Sequence, residues 1–266
     1  MTGRLASVGV LTSALLAACG PSPSFESVAI GQTGVSGAAE VSVPVPPGEN
    51  ESGDLLVAIL GVPGNPNTSG PDGWTAVPGF GGFNGATCQA DGQGTACQLA
   101  VFYRIADGSE STASFSWSGR RQAAAAVVRF SNVDVNAPIG AAGHTRGSSD
   151  TPNAPVVETT RDGSRALRIA VGELDDAGRF LQGAVALTDE PPRVRLSIVS
   201  FPPAADDPTN GCGPPLSACV QIERAVGLAV SDTRHASAGA SGPVSWELGG
   251  GDQWLTATIE IKRPPG

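Results

Sequence analysis

The chain has little of what a metal site, a catalytic triad or a nucleic-acid surface requires. Its 266 residues include two histidines, His144 and His235, each in a Gly/Ala/Ser/Thr-rich stretch without a second metal ligand at suitable spacing. No G-x-S-x-G motif marks a nucleophilic serine. Basic side chains number 16 against 25 acidic ones, a net charge of −9. This acidity disfavours nucleic acid, whose phosphates would be repelled, and a polybasic membrane patch.

Amphipathic helical periodicity is missing as well. The 36 glycines and 22 prolines interrupt the chain at short intervals. Between them lie short runs with period-two alternation, such as Ala113, Phe115 and Trp117, which are typical of strands with one buried face. The run 54–60 is apolar after its first residue, which indicates a central strand covered on both faces. The pattern predicts an all-β sandwich or barrel.

The two parts of the chain repeat one order of motifs. Each has an apolar strand motif, a loop between cysteines, a Ser-Trp pair and a closing strand: Asp54–Gly61, Cys88–Cys97, Ser116-Trp117 and Ala126–Phe130, then Arg165–Gly172, Cys212–Cys219, Ser245-Trp246 and Ala257–Ile261. This self-similarity indicates a duplicated unit of about 110–120 residues. Two separate domains are one interpretation, and two interlocked halves are the other.

We favour a single domain over residues 25–264, because a lone sheet would leave its apolar face in water. The predicted fold is a jelly-roll-like, two-sheet sandwich built from similar halves at about 25–137 and 138–264. The apolar residues of the two halves should then meet each other: Val57, Ile59, Val128 and Phe130 from the first, and Ile169, Val171, Ile259 and Ile261 from the second.

The first 18 residues have the features of a secretory signal. Arg4 precedes a short apolar run, and small residues stand before Cys19. The run is shorter than the roughly 20 apolar residues that a transmembrane helix needs. Leu16-Ala17-Ala18-Cys19 resembles the lipobox of bacterial lipoproteins, which implies removal of residues 1–18 and acylation of Cys19. An ordinary cleaved signal with a chance cysteine is the alternative.

This resemblance implies a bacterial envelope protein that is attached to a lipid bilayer through Cys19. The next residue is Gly20 rather than the Asp that tends to retain lipoproteins at the inner membrane, which favours the outer membrane of a Gram-negative cell. Residues 19–24 would form the lipidated N-terminus and a spacer whose Gly, Pro and Ser residues are not expected to pack. Loss of Arg4 changes the mature net charge to −10.

The remaining four cysteines can pair in three ways. We favour the local pairs Cys88–Cys97 and Cys212–Cys219, because each encloses a turn-rich segment. Export to an oxidising compartment disfavours free thiols. The spacings do not match those of zinc sites, so no metal is assigned to these residues.

A second resemblance covers most of the mature chain. The segments that carry it are Gly53–Ala58, Gly73-Trp74-Thr75, Phe102-Tyr103-Arg104, Phe115-Ser116-Trp117 and Pro138-Ile139. They are similar to a module of secreted bacterial and phage-tail-associated proteins. The resemblance implies a β-sandwich and assigns no activity.

Two tryptophans are candidate ligand-binding residues. Trp254 shares a predicted strand face with the polar residues Thr256, Thr258 and Glu260, which predicts an open ring of the kind that stacks on sugars. Trp74 follows a Pro-Asp-Gly turn at a predicted sheet edge. The other two tryptophans, at equivalent points of the repeat, are predicted to lie in the core.

Acidic loop residues form the other candidate group, with Glu173, Asp175 and Asp176 just after a predicted strand. Solvated loop acids are the expectation, and a calcium site is the alternative. A carboxylate pair about 5–9 Å apart would suit a glycosidase. A serine hydrolase would need a histidine base, such as His235 beside Ser231 and Asp232. Exposed loop histidines are the simpler expectation.

These features predict a surface-anchored, non-catalytic lipoprotein that binds a glycan, an envelope component or a protein. No cofactor is assigned, with calcium as the alternative, and nucleic acid is not expected as a partner. A secreted hydrolase of polysaccharide or ester substrates is one competing function. A purely structural envelope lipoprotein is the other.

Overall fold

The computed structural model describes residues 20–34, 37–49, 52–81, 86–88, 97–174, 181–182, 193–199, 225–247 and 253–266. Within these ranges the regular secondary structure is entirely β-strand, which confirms the predicted all-β class. None of the described residues forms a helix that could span a bilayer.

Nine strands come from the first half: β1 Ser24–Gln32, β2 Ala38–Pro44, β3 Ser52–Pro63, β4 Thr68–Ser69, β5 Thr75–Ala76, β6 Ala86–Cys88, β7 Cys97–Asp107, β8 Thr112–Arg121 and β9 Ala124–Ser131. Ten come from the second: β10 Ile139–Ser148, β11 Asn153–Ala154, β12 Glu158–Thr159, β13 Arg165–Leu174, β14 Leu181–Gln182, β15 Arg193–Val199, β16 Ala225–Arg234, β17 Gly239–Ala240, β18 Val244–Glu247 and β19 Gln253–Ile261.

Each half forms a large sheet and a small sheet with the same strand order. The first large sheet runs β1-β9-β3-β7-β5, with β6 also paired to β7, and the first small sheet runs β2-β8-β4. The second large sheet runs β10-β19-β13-β16-β15, and the second small sheet runs β11-β18-β14, with β12 and β17 paired separately. All pairings are antiparallel. Since the chain alternates between its two sheets in the same order twice, the predicted jelly-roll-like repeat of similar halves is confirmed.

The two large sheets pack face to face around a central cluster of apolar side chains. All eight residues that were expected to meet across the halves lie in it, each fully buried. Cys88 and Cys97 belong to the same cluster and form a disulfide with a Cα–Cα distance of 4.9 Å. Gly61 marks a close approach of the sheets, because a Cβ there would lie 2.7 Å from Cγ2 of Val171.

The opposite face of each large sheet is covered by the small sheet of its own half. In the first half, Leu56, Ala58 and Leu60 of β3 pack against Phe115 and Trp117 of β8. In the second half, Ala170 and Ala229 pack in a smaller cluster with Trp246 and Trp254. The fold is therefore a stack of four layers. The predicted two-sheet sandwich, with one sheet from each half, did not include the outer layers.

Face assignments also correct the alignment of the two halves by one residue. Leu55 and Leu167 both face the central cluster, whereas Leu56 faces outward. Leu55 pairs with Phe130, and Ile261, which matches Phe130 in the repeat, pairs with Arg165. Leu55 is therefore equivalent to Arg165, and not to Ala166 as the matched motifs suggested. In a strand, a shift of one residue exchanges the two faces, so the alignment decides which residues belong to which core.

The polar segment that joins the halves is itself largely strand. Residues 139–148 form β10, at the edge of the second large sheet, paired with β19. Small and polar residues give this segment no apolar face. An edge strand needs none where its backbone pairs with a neighbour.

Candidate functional site

The tryptophans expected in the core lie there. Trp117 is 6% exposed and Trp246 is 1% exposed, each between the two sheets of its own half. The predicted openness of Trp254 is wrong, since only 6% of that residue is exposed. Its indole Nε1 donates to Ser149 Oγ at 3.1 Å. The polar residues that share its face are buried beneath the added layer, so their polarity did not indicate solvent.

Trp74 lies at a sheet edge, as predicted, directly before the edge strand β5. Its backbone N–H donates to Pro71 O at 3.2 Å, and Gly73 has a φ of 76°, which closes the turn ahead of it. The ring is half-buried and packs against the outer cluster of the first half. Part of one indole ring is therefore presented at this edge.

The acidic candidates and the second disulfide are only partly within the described residues. Glu173 belongs to β13 rather than to the loop after it. Asp175, Asp176, Cys212, Cys219 and Cys19 lie outside the described residues. Within the described ranges no three Asp, Glu, His or Cys side chains are grouped in a way that could hold a metal ion.

Buried carboxylates of the described chain are bound to cations or backbone. Asp54 pairs with Arg129 at 2.8 Å, and Asp232 pairs with both Arg165 and Arg195.

Burial alone would raise the pKa of Asp134, but hydrogen bonds from Arg161 at 2.6 Å and from two backbone N–H groups hold that pKa below its usual value. Burial likewise opposes ionisation of Glu260, and its pKa is lowered by donors from Ala141, Ser164 and Thr160. A carboxyl group that acts as a general acid needs a raised pKa, whereas the pKa values of Asp134 and Glu260 are lowered.

The hydrolase triad suggested by Ser231, Asp232 and His235 is not assembled. Ser231 and Asp232 are successive residues of β16, so their side chains point to opposite faces. The Asp232 carboxylate is bound to two arginines. The other histidine, His144, is exposed on β10, and its ring centroid lies 5.5 Å from that of Phe80. Both histidines were expected to be exposed in loops. This expectation is wrong for His235, which is 8% exposed. His144 is exposed, but it lies on a strand.

Residues 20–25 contact the second half, contrary to the expected free spacer. Arg165 Nε donates to Pro23 O at 3.0 Å, and Arg263 Nη1 donates to Gly20 O at 3.4 Å. The Arg195 guanidinium lies 4.1 Å from the ring centroid of Phe25. Pro23 is buried. The segment packs through its carbonyl groups, which arginines can bind whatever the side chains are, so composition did not reveal it.

Basic side chains gather around this segment. We call them the N-terminal face: Arg161, Arg165, Arg193, Arg195, Arg234, Lys262 and Arg263. Arg193 and Arg234 stand opposite Asp232 and Arg165 in the strand register. Arg161 Nη1 donates to Arg263 O at 2.9 Å, and Lys262 is the adjoining residue.

Five of these seven cations remain at least partly exposed, whereas Arg165 and Arg195 are largely buried against Asp232. Four carboxylates lie in or bond to the same segments: Asp134, Asp162, Asp232 and Glu260. Among the described residues, seven cations against four anions leave a local excess of positive charge on a chain whose net charge is −9. Net charge does not report how charges are distributed, so an acidic chain can carry a locally basic face.

Comparison with protein-family models, with curated proteins and with solved structures gives no match for this chain.

Proposed function

We propose that the protein is a non-catalytic, lipid-anchored envelope lipoprotein whose body rests against the bilayer on its N-terminal face. The observation that carries this proposal is the binding of Gly20 and Pro23 by Arg263 and Arg165 of the second half. An acyl group on Cys19 would then be attached next to a folded surface and not to a flexible tether.

Covalent geometry sets how close the lipid comes. Consecutive Cα atoms are about 3.8 Å apart, so Cys19 lies within one residue of the Gly20 carbonyl that Arg263 binds. Acyl chains on Cys19 therefore enter the bilayer beside the N-terminal face. The multiple acylation implied by the lipoprotein resemblance suffices for stable anchoring.

Charge favours the same orientation. Cations near an anionic lipid surface contribute about 1 kcal/mol each, and this face presents five exposed or partly exposed ones. The opposite end of the stack would point away from the membrane. The binding of a glycan, an envelope component or a protein is assigned to that outward part. The ionised, fully bonded Asp134 and Glu260 favour a binding role over a hydrolase.

Metabolic labelling with a palmitate analogue tests the anchor. Wild-type cells should incorporate label into the protein, and cells expressing Cys19→Ser should not. Equal labelling of both would contradict acylation at Cys19.

Vesicle flotation tests the orientation separately, with the unlipidated Cys19→Ser chain. It should float with vesicles that contain phosphatidylglycerol more than with neutral ones, and less so as salt rises. Adding Arg193→Glu and Arg234→Glu should abolish the difference. The matched control, Arg120→Glu and Arg146→Glu, changes two exposed arginines elsewhere and should retain it. Identical behaviour of the two double variants would refute a membrane-facing N-terminal face and leave the lipid anchor untouched.

A further inference from the structure

Arg168 is a fully buried cation in the second half. Its neighbours in β13, Leu167 and Ile169, face the central cluster, so Arg168 projects into the outer layer of its own half. The guanidinium donates to Thr233 Oγ1 at 2.7 Å, to Gly242 O at 3.3 Å and to Ser241 O. All three acceptors are neutral. Burial lowers the pKa of Arg168 to about 10, which still leaves the side chain charged at neutral pH.

Two buried polar atoms at this position have no hydrogen-bond partner among the described residues. One is Nε of Arg168, and the other is Oγ of Ser231. Ser231 is the Cα partner of Arg168 in the β13–β16 register, so the two side chains share one face of the sheet. Nε1 of Trp246 also lacks a partner, and so does Nε1 of Trp117 in the first half, so this feature is common to both halves.

The equivalent place in the first half is apolar. With Leu55 aligned to Arg165, Arg168 takes the position of Ala58, and Ser231 takes that of Phe102. The second half thus places a charged side chain and a hydroxyl group where the first half has two apolar residues.

Local charge is unbalanced as well. Asp232 raises the pKa of Arg168 electrostatically, but its carboxylate is bound to Arg165 and Arg195 on the other face of β16. In the part of the chain that the structure describes, one carboxylate therefore serves three buried or largely buried cations. Burying an ion without a counter-ion costs several kcal/mol, and arginine donors match carboxylate oxygens in geometry.

We propose that Arg168, Ser231 and Thr233 bind a small monocarboxylate between the two sheets of the second half. Its oxygens would accept from Nε of Arg168 and Oγ of Ser231, and a short apolar tail would lie against Ala170, Ala229 and the two tryptophans of the outer cluster. Because Arg168 and Ser231 are 0% exposed, the occupant is a small molecule rather than a polymer end.

Thermal unfolding tests this proposal on the full-length Cys19→Ser chain. Formate, acetate and butyrate are compared with chloride at matched ionic strength. The melting temperature should rise with carboxylate concentration, by roughly 5–10 °C at one hundred times the Kd. Arg168→Leu, which removes the charge and leaves an apolar side chain at this position, should abolish the rise. Arg120→Leu, an exposed control, should retain it.

Ser231→Ala keeps the charge and removes one donor, so it tests the site even where Arg168→Leu does not fold. Calorimetric titration with butyrate should give a Kd at least fivefold higher for Ser231→Ala than for the parent chain. A parent chain that shows no carboxylate response, or Arg168→Leu and Ser231→Ala variants that respond like the parent, would overturn the proposal. Arg168 would then be a structural cation only.

Discussion

Replacement of Ile169 by alanine tests whether the four layers unfold as one unit. Ile169 is fully buried in the central cluster, where side chains of both halves meet. Truncation of a buried isoleucine costs about 2–5 kcal/mol, through lost burial and the cavity left behind. For a domain of this size each kcal/mol lowers the melting temperature by roughly 2–4 °C, so the expected loss is about 4–20 °C.

The chain carries a pair of fluorescent reporters in each half. Trp74 and Trp117 belong to the first, and Trp246 and Trp254 to the second. Conversion of one pair to phenylalanine leaves a protein whose fluorescence reports on the other half. Ile169→Ala lies in the second half, yet it should lower the transition seen by the first-half reporters by the same amount.

The matched control is Ile30→Ala, which makes the same chemical change at a residue that is 47% exposed. It should change stability by no more than about 0.5 kcal/mol. Two separate transitions in the parent chain, or a first-half transition that Ile169→Ala leaves in place, would refute the single cooperative unit. The two jelly rolls would then be independent domains in contact.

The remaining predictions concern covalent structure and acid stability. Non-reducing peptide mapping should link Cys88 to Cys97 and Cys212 to Cys219. Loss of the Cys88–Cys97 bond should lower the free energy of unfolding by about 2–3 kcal/mol. A peptide that joins one cysteine pair to the other would disprove local pairing. Asp134 and Glu260 have lowered pKa values in the folded protein. Their contribution to stability is therefore complete above their ordinary pKa values of 3.8 and 4.5. It is lost as pH falls through the folded-state pKa values, which lie below these. The melting temperature should therefore fall on acidification below about pH 4.5. Glu260→Gln should have a lower melting temperature at pH 7, and its melting temperature should fall less steeply on acidification below about pH 4.5. The exposed control Glu40→Gln should follow the parent curve. Parallel acid profiles for all three proteins would rule out Glu260 as a contributor to acid sensitivity.

Strand positions and faces could be read from residue order because alternation is a local property. The apolar run of β3 indicated a strand covered on both sides, and its side chains do divide between the central and outer clusters. The alanines of β9 allow close approach of layers on both sides, and Ala124 and Ala125 face different clusters. Local cysteine spacing likewise indicated the Cys88–Cys97 bond.

The polarity of side chains gave a wrong prediction of solvent exposure wherever a buried strand face makes hydrogen bonds instead of apolar contacts. Thr256, Thr258 and Glu260 are fully buried, and their oxygens bond to backbone groups of residues 141–161. Sequence distance hides such partners, which lie about a hundred positions away. The same cause concealed the packing of residues 20–25 against distant arginines.

The sequence by itself determined the all-β class, the duplication and the residues that meet across the halves, since all three follow from periodicity and hydrophobic burial. Only the tertiary structure decided which face each sheet turns to its own small sheet, that seven basic residues gather beside residue 20, and that Arg168 lies opposite Ser231. These features depend on pairing between strands far apart in the chain, and charge and hydrogen-bond partners are set by that pairing rather than by neighbours in sequence.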